Sequence, residues 1–141
     1  KLIEAGIDSY LAEIKPSGAY VGMALGVDTI AAEICLRRKI SYVAAVPFSG
    51  QASGFAPWQK ERYLQLLEGA SYIDCPHDDY KPWYFQDRNE YMVDHSDLLL
   101  AVWDGSSGGT ANCVHYARKI DKPIKFFNPL TGLWDDKHTK W

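Results

Sequence analysis

Apolar and polar positions alternate along this chain in two rhythms, one of helical period and one of short, nearly continuous apolar runs. Residues 2–15 place Leu2, Ile3, Gly6, Ile7, Tyr10, Leu11 and Ile14 on one helical face, and Pro16-Ser17-Gly18 ends that helix. Ala19-Tyr20-Val21 reads as a short strand. Gly22 to Gly26 is then a tight loop opening a helix that turns Val27, Ile30, Ala31, Ile34 and Cys35 inward. Ile40 to Phe48 is an apolar run of the kind buried on both faces of a parallel sheet, with Pro47 marking its stop. After a loop at 49–56, Pro57 starts a helix reaching about Glu68, in the first turn, where a missing N–H costs nothing. A short strand at 71–75, a largely aromatic helix within 80–95 and a second buried strand at 97–103 follow. A helix at 110–119 and a strand at 123–127 close the pattern.

Repeated strand–helix units of this length predict a mainly parallel sheet with right-handed crossovers. Ligands of such sheets bind beyond the carboxyl ends of the strands. The glycine-bearing loops 22–26 and 105–109 both fall at that edge.

Composition changes this picture little. The chain has 141 residues, enough for one core, with 47% hydrophobic and 23% charged residues. The net charge of −3 argues against duplex nucleic acid as the main partner, because such binders carry a basic face. Arg37-Arg38-Lys39 is the clearest basic run, and a helix C-terminus explains it. Cys35, Cys75 and Cys113 form no CxxC pair and sit in or beside apolar runs, so buried, reduced thiols are expected. His77, His95, His115 and His138 have no ligand spacing, and no metal or cofactor is expected. No apolar run approaches the roughly 20 residues of a membrane span, and there is no signal peptide, so a cytoplasmic location is expected. Lys1-Leu2-Ile3-Glu4 reads as the middle of a helix, so a preceding segment is expected.

Three elements carry candidate chemistry. Asp104-Gly105-Ser106-Ser107-Gly108-Gly109-Thr110 joins a buried strand to a helix. Its glycines let backbone approach a ligand, and helix N–H groups would face a phosphate there. A plain glycine turn capped by Thr110 reads equally well. Gly22, Met23, Ala24 and Gly26 repeat that topology, with Asp28 either complementing the helix dipole or accepting from ribose hydroxyls. In the third, Arg88 and Asn89 stand on the helix before the buried strand. Arg88 can pair with a phosphate in bidentate fashion or form a surface salt bridge with Asp87 or Glu90. There is no Walker A, no GxGxxG with its distant acid, and no GxSxG elbow.

These elements, in this order, resemble the SLOG superfamily, the fold shared by the DNA-processing protein DprA and the LOG phosphoribohydrolases, and are most similar to its YpsA-like branch. The residues that carry the resemblance are GMALGVDTIAAE at 22–33, VPFSGQ at 46–51, WQKERYLQLLEGASY at 58–72, FQDRNEYMVDHSDLLLAVWD at 85–104 and SGGTANCVHYA at 107–117. The resemblance implies a Rossmann-like three-layer α/β sandwich over residues 1–128, lacking the first strand that relatives carry, with 129–141 as a C-terminal tail. It adds Pro47 and Phe48 to the binding residues. In LOG enzymes the glycine loop is followed by a catalytic Glu, with an upstream Arg. Arg88 matches the Arg, but the Glu position, three after Thr110, is Cys113. A thiol cannot supply the carboxylate needed to stabilise a ribosyl centre or activate water.

The expected function is therefore binding of a nucleotide or nucleotide-derived molecule, an ADP-ribose-like or cyclic nucleotide signal, by a sensor or sequestering protein of phage or bacterial conflict. An N-glycosidase acting on nucleoside monophosphates, with Arg88 and Glu90 as catalytic candidates and Asp94 or Asp104 as alternative carboxylates, is the enzymatic alternative. A DprA-like single-strand nucleic-acid binder is the third reading, and nucleic acid is not expected as a partner. A homo-oligomer, dimer or higher, is expected through the helices beside the site.

Overall fold

A computed structural model describes residues 2–135; Lys1 and residues 136–141, which include His138 and the end of the predicted tail, lie outside the described residues. Helix α1 (Leu2–Ile14) buries Ile7 and Leu11, the pair one turn apart on the predicted face. Strand β1 (Gly18–Val21) leads through the first glycine loop to α2 (Val27–Arg38), whose C-terminus is closed by Lys39 in the left-handed region. Strand β2 (Ser41–Ala45) and a 3-10 turn at Gln51–Gly54 precede α3 (Pro57–Gly69). Proline opens α3, and Gln59 accepts the Ala56 N–H at 2.8 Å. Strand β3 (Tyr72–Asp74), helix α4 (Tyr84–His95), strand β4 (Leu99–Val102), helix α5 (Gly109–Lys119) and strand β5 (Ile124–Phe127) complete the predicted alternation. Within the predicted tail, β6 (Trp134–Asp135) pairs antiparallel with β5, and Trp134 packs on Tyr10 and Phe127.

The strands form two three-stranded sheets, ordered β1-β2-β3 and β4-β5-β6, and every pairing but the last is parallel. One core spans both. Leu100 and Val102 of β4 pack against the cluster built from Val21, Ile34, Tyr42, Ala44 and Leu66. Helix α1 lies close over β5, where a Cβ at Gly6 would come within 2.6 Å of the Phe127 ring. Helix α4 packs against α5 and reaches the β1 side through the Tyr20–Tyr91 edge contact. Both helical layers thus bridge the sheets, leaving β1 and β4 each with one unpaired edge in the described residues.

That arrangement corrects one expectation. The run at 97–103 reads as a strand buried on both faces, yet Leu99, Leu100 and Val102 are only half-buried. With no strand on its other edge among the described residues, β4 keeps part of its apolar surface uncovered. A second correction concerns the thiols: Cys35 and Cys113 are buried, whereas Cys75 is exposed just after the short β3. No described helix is long and apolar enough to cross a membrane.

Candidate functional site

The first glycine loop is held by four side chains from three segments. Met23, fully buried, sits at φ 61°, a left-handed conformation costing about 1–2 kcal/mol for a residue with a Cβ. Four hydrogen bonds hold it there: the Arg88 guanidinium donates to the Gly22 carbonyl, Gln51 Nε2 to the Met23 carbonyl at 3.2 Å, Thr29 Oγ1 to the Ala24 carbonyl at 3.1 Å, and the Ala24 N–H to Asp28 Oδ2 at 3.3 Å. Asp28 therefore closes the loop, and α2 itself starts at Gly26 with no side-chain cap. Glycine is required at position 22: a Cβ there would lie 2.7 Å from Arg88 Nη1 and 3.0 Å from Asp28 Oδ2.

Arg88 is mostly buried, and burial pulls its pKa below the usual guanidinium range, with the Asp28 charge opposing that pull. It forms no ion pair within 4 Å among the described residues, so the predicted surface bridge to Asp87 or Glu90 is absent. Its partners are carbonyls: Gly22, and Ala45 at the end of β2 at 3.5 Å. The adjacent Asn89 accepts from Arg88 Nε at 3.0 Å and places its own amide 3.5 Å from the Gly109 carbonyl. One dipeptide of α4 thereby ties the two glycine loops together.

The second loop is organised from within. Asp104 Oδ1 accepts from the Ser106 N–H at 2.9 Å and its hydroxyl at 2.6 Å, and these bonds hold the Asp104 carboxyl below its ordinary pKa. The Trp103 indole donates to the Ser106 carbonyl at 2.8 Å. Gly105 and Gly108 take φ of 93° and 142°, which favour glycine. Helix α5 is N-capped by Gly108 without a side-chain hydrogen bond, so Thr110, already inside the first turn, is not the cap expected of it. A Cβ at Gly108 or Gly109 would meet nothing within 4 Å. The first turn of α5, without a side-chain cap, borders open space.

That space is a cavity of about 250 Å³ lined by Asp104, Ser106, Ser107, Gly108, Gly109 and Thr110, with Val27 from the start of α2 and Ile3 from α1 on its other walls. The second loop lines this cavity, whereas none of residues 22–26 does; the α2 side contributes only Val27. A larger groove of about 610 Å³ lies on the other side of the α2 opening, between α2 and α3, and takes Met23 and Gly26 into its lining. Pro47 and Phe48 line neither; Pro47 is fully buried and Phe48 packs edge-on against Tyr80 and Phe85. Val27, Ile3 and Gln51 were not singled out from the sequence. Gln51 was within reach, as it closes the VPFSGQ motif, whereas Ile3 is brought to the cavity by the crossing of α1.

Cys113 is buried beside Arg88, and burial pushes its thiol up to about 11, so it is neutral and a poor nucleophile near neutral pH. The carboxylates offered in its place are engaged elsewhere: Glu90 with Gln86 at 3.2 Å, Asp94 with the Tyr116 hydroxyl at 2.6 Å, and Asp104 with Ser106. Among the described residues no cluster of three or more His, Cys, Asp or Glu side chains is placed to hold a metal.

With this geometry in view, comparison with known proteins is decisive. A model of the YspA SLOG family matches residues 1–128. The chain belongs to this family. It is 36% identical over 115 residues to the SPbeta prophage-derived protein YoqJ of Bacillus subtilis, covering 70% of this chain and 67% of that one. A UPF0398 protein of Halalkalibacterium halodurans is 29% identical over 118 residues, covering 77% of this chain and 57% of its own length. Among solved structures, DNA processing protein A from Streptococcus pneumoniae superposes with a TM-score of 0.70 at 18% identity, over 94% of this chain and 48% of that one. The Helicobacter pylori protein, whose structure describes a single-stranded DNA binding mode, gives 0.65 at 23% identity, over 90% of this chain and 59% of that one. The Rossmann-like α/β fold of this SLOG chain is thus shared with DprA. The family member spans roughly half of each DprA chain. These likenesses overturn the expectation that nucleic acid is no partner: charge alone had argued against it, yet the shared fold is that of a single-strand binder.

Proposed function

We propose that this SLOG domain binds a nucleotide-derived small molecule, with its phosphate seated over the first turn of α5, as a sensor or a sequestering protein. The single observation that carries the reading is the opening of α5. Gly108 and Gly109 leave its N–H groups bare, uncapped and facing a cavity whose opposite wall is the start of a second uncapped helix. Helix N-termini of this kind favour anions through free donors and the dipole. Buried Arg88, with no carboxylate in contact, adds positive potential behind the loops.

Calorimetric titration with AMP, ADP-ribose, cyclic ADP-ribose and cyclic dinucleotides tests this. Heat from at least one ligand, weakened in Gly109→Asp, is the expected outcome. No heat across the panel would remove the reading.

A second reading rests on the DprA likeness: the same phosphate site engages the backbone of a single-stranded nucleic acid. The Arg37-Arg38 run does not serve it, because both side chains pair with Asp8 of α1, Arg38 Nε at 2.6 Å. Oligothymidylate added to the same titration separates the two. Salt-sensitive binding that strengthens with oligonucleotide length favours the polymer; binding that saturates with a single nucleotide favours the small molecule.

Residues 1–128 are kept as one domain in this proposal. We infer that the additional strand implied by the resemblance pairs with β1 and β4, each of which has one unpaired edge among the described residues. Slow amide exchange along both edges in a longer form of the protein supports that placement, and fast exchange there removes it.

A further inference from the structure

We propose that the 610 Å³ groove between α2 and α3 is the base-binding half of the ligand site, so that the ligand is a purine nucleotide with its ring in this groove and its phosphates over α2 and α5. The inference rests on the phosphate reading above and extends it to a region that reading does not use. The cavity at α5 has a volume of only about 250 Å³, less than half that of the groove, with the loop 104–110 on one side and apolar walls at Ile3, Val27, Val102 and Pro129. It suits a phosphate and leaves the rest of a nucleotide to be housed elsewhere.

The two spaces are lined by consecutive residues of the chain. Gly26 lines the groove, and the next residue, Val27, lines the cavity. At Gly26 the backbone is bare, with no atom within 4 Å of where a Cβ would stand. No side chain at position 26 stands in the way of a ligand that crosses the opening of α2. In crossing it passes a second set of uncapped helix N–H groups, which gives a second phosphate its own donors.

The groove has the chemistry of a base site. Its floor is apolar, built on buried Met23, Tyr63 and Leu66. Trp58, at the start of α3, stands on the rim with 70% of its surface exposed. An exposed indole beside an apolar slot is a stacking platform for a flat heteroaromatic ring. Gln59 and Gln65, whose Oε1 atoms accept from the Ala56 N–H and the Arg62 guanidinium, add their Nε2 donors along the same rim, able to meet acceptors on the edge of a base. The Arg62–Glu33 ion pair, at 2.9 Å, offsets two charges of the lining and Glu61 adds a negative one, so the groove suits a neutral ring better than a further phosphate.

The test is titration of the full chain with inorganic pyrophosphate, ribose 5-phosphate, AMP and ADP-ribose, in the wild type, Trp58→Ala and Trp58→Phe. Trp58 is exposed, so both variants fold. The expected result is that the adenine compounds bind at least about ten-fold more tightly than ribose 5-phosphate, the worth of one base stack. Trp58→Ala loses that advantage, Trp58→Phe keeps most of it, and pyrophosphate binding is the same in all three. Adenine compounds that bind no better than ribose 5-phosphate, or an advantage untouched by Trp58→Ala, would overturn the base site while leaving the phosphate reading standing. Failure of every phosphate compound to bind the wild type would overturn both.

Discussion

The openings of α2 and α5 share one topology, strand to glycine loop to helix, and are built for opposite purposes. At α2 the loop is pinned: Gly22 against Arg88, Met23 buried in a left-handed turn, Ala24 bonded to both Asp28 and Thr29. At α5 the loop supports itself through Asp104, Ser106 and Trp103, and a Cβ at either of its last two glycines would meet nothing within 4 Å. Two loops of similar composition thus divide the work. The first is a rigid wall whose side chains are committed to the fold, and the second is a free row of donors. Glycine content alone does not distinguish them; at position 22 glycine avoids a clash, and at 108–109 it leaves a space.

This contrast predicts where substitutions hurt stability and where they hurt binding. The largest effect is expected for Arg88→Ala. It strands the Gly22 carbonyl in the core and unties Asn89 from its neighbour, costing about 2–3 kcal/mol in urea unfolding; a loss below about 0.5 kcal/mol would show that the guanidinium does not hold the first loop. Gly22→Ala pushes a methyl group into Arg88 and Asp28 and is expected to cost about 1–3 kcal/mol. By contrast, Gly109→Asp fits sterically and places a carboxylate where a helix dipole welcomes it, so stability should move by less than about 0.5 kcal/mol. Phosphate affinity should nevertheless fall more than about ten-fold, as the new charge occupies the donors. Equal losses of stability at positions 22 and 109 would erase the distinction between the loops.

The smallest effect is a titration. Ser106 holds the ionised form of Asp104, so the folded pKa lies below that of the unfolded chain. A depressed carboxylate stabilises above its unfolded pKa, and that contribution disappears as pH falls through the folded value. The loop 104–107 should therefore stay ordered at neutral pH and loosen only in acid below the ordinary Asp range. Carboxyl NMR should show Ser106→Ala returning Asp104 toward its usual pKa; an unchanged titration would mean that these hydrogen bonds do not organise the loop.

Much of this was legible in advance. The helical stripe of α1, the apolar run at β2 and the proline at the start of α3 announced their elements, because each encodes its own period or backbone restriction. The two glycine loops could be located but not told apart. Arg88 illustrates why. Its neighbours in sequence, Asp87 and Glu90, suggested a surface pair, while its actual partners lie 66 and 43 positions away. The groove beside Trp58 was not legible either, since it exists only where α2 and α3 pack side by side.

By itself, the sequence determined the order of elements, the carboxyl-end placement of both loops, and the absence of a carboxylate at position 113, for these depend on local periodicity and residue identity. Only the tertiary structure decided that the strands split into two sheets, that Asp28 closes its own loop, and that Arg88 bonds to backbone carbonyls of distant segments rather than pairing with its sequence neighbours. Those outcomes depend on which distant backbone groups come within hydrogen-bond reach. Burial then makes each such contact compulsory, because a buried polar group without a partner costs more than any local preference can offset.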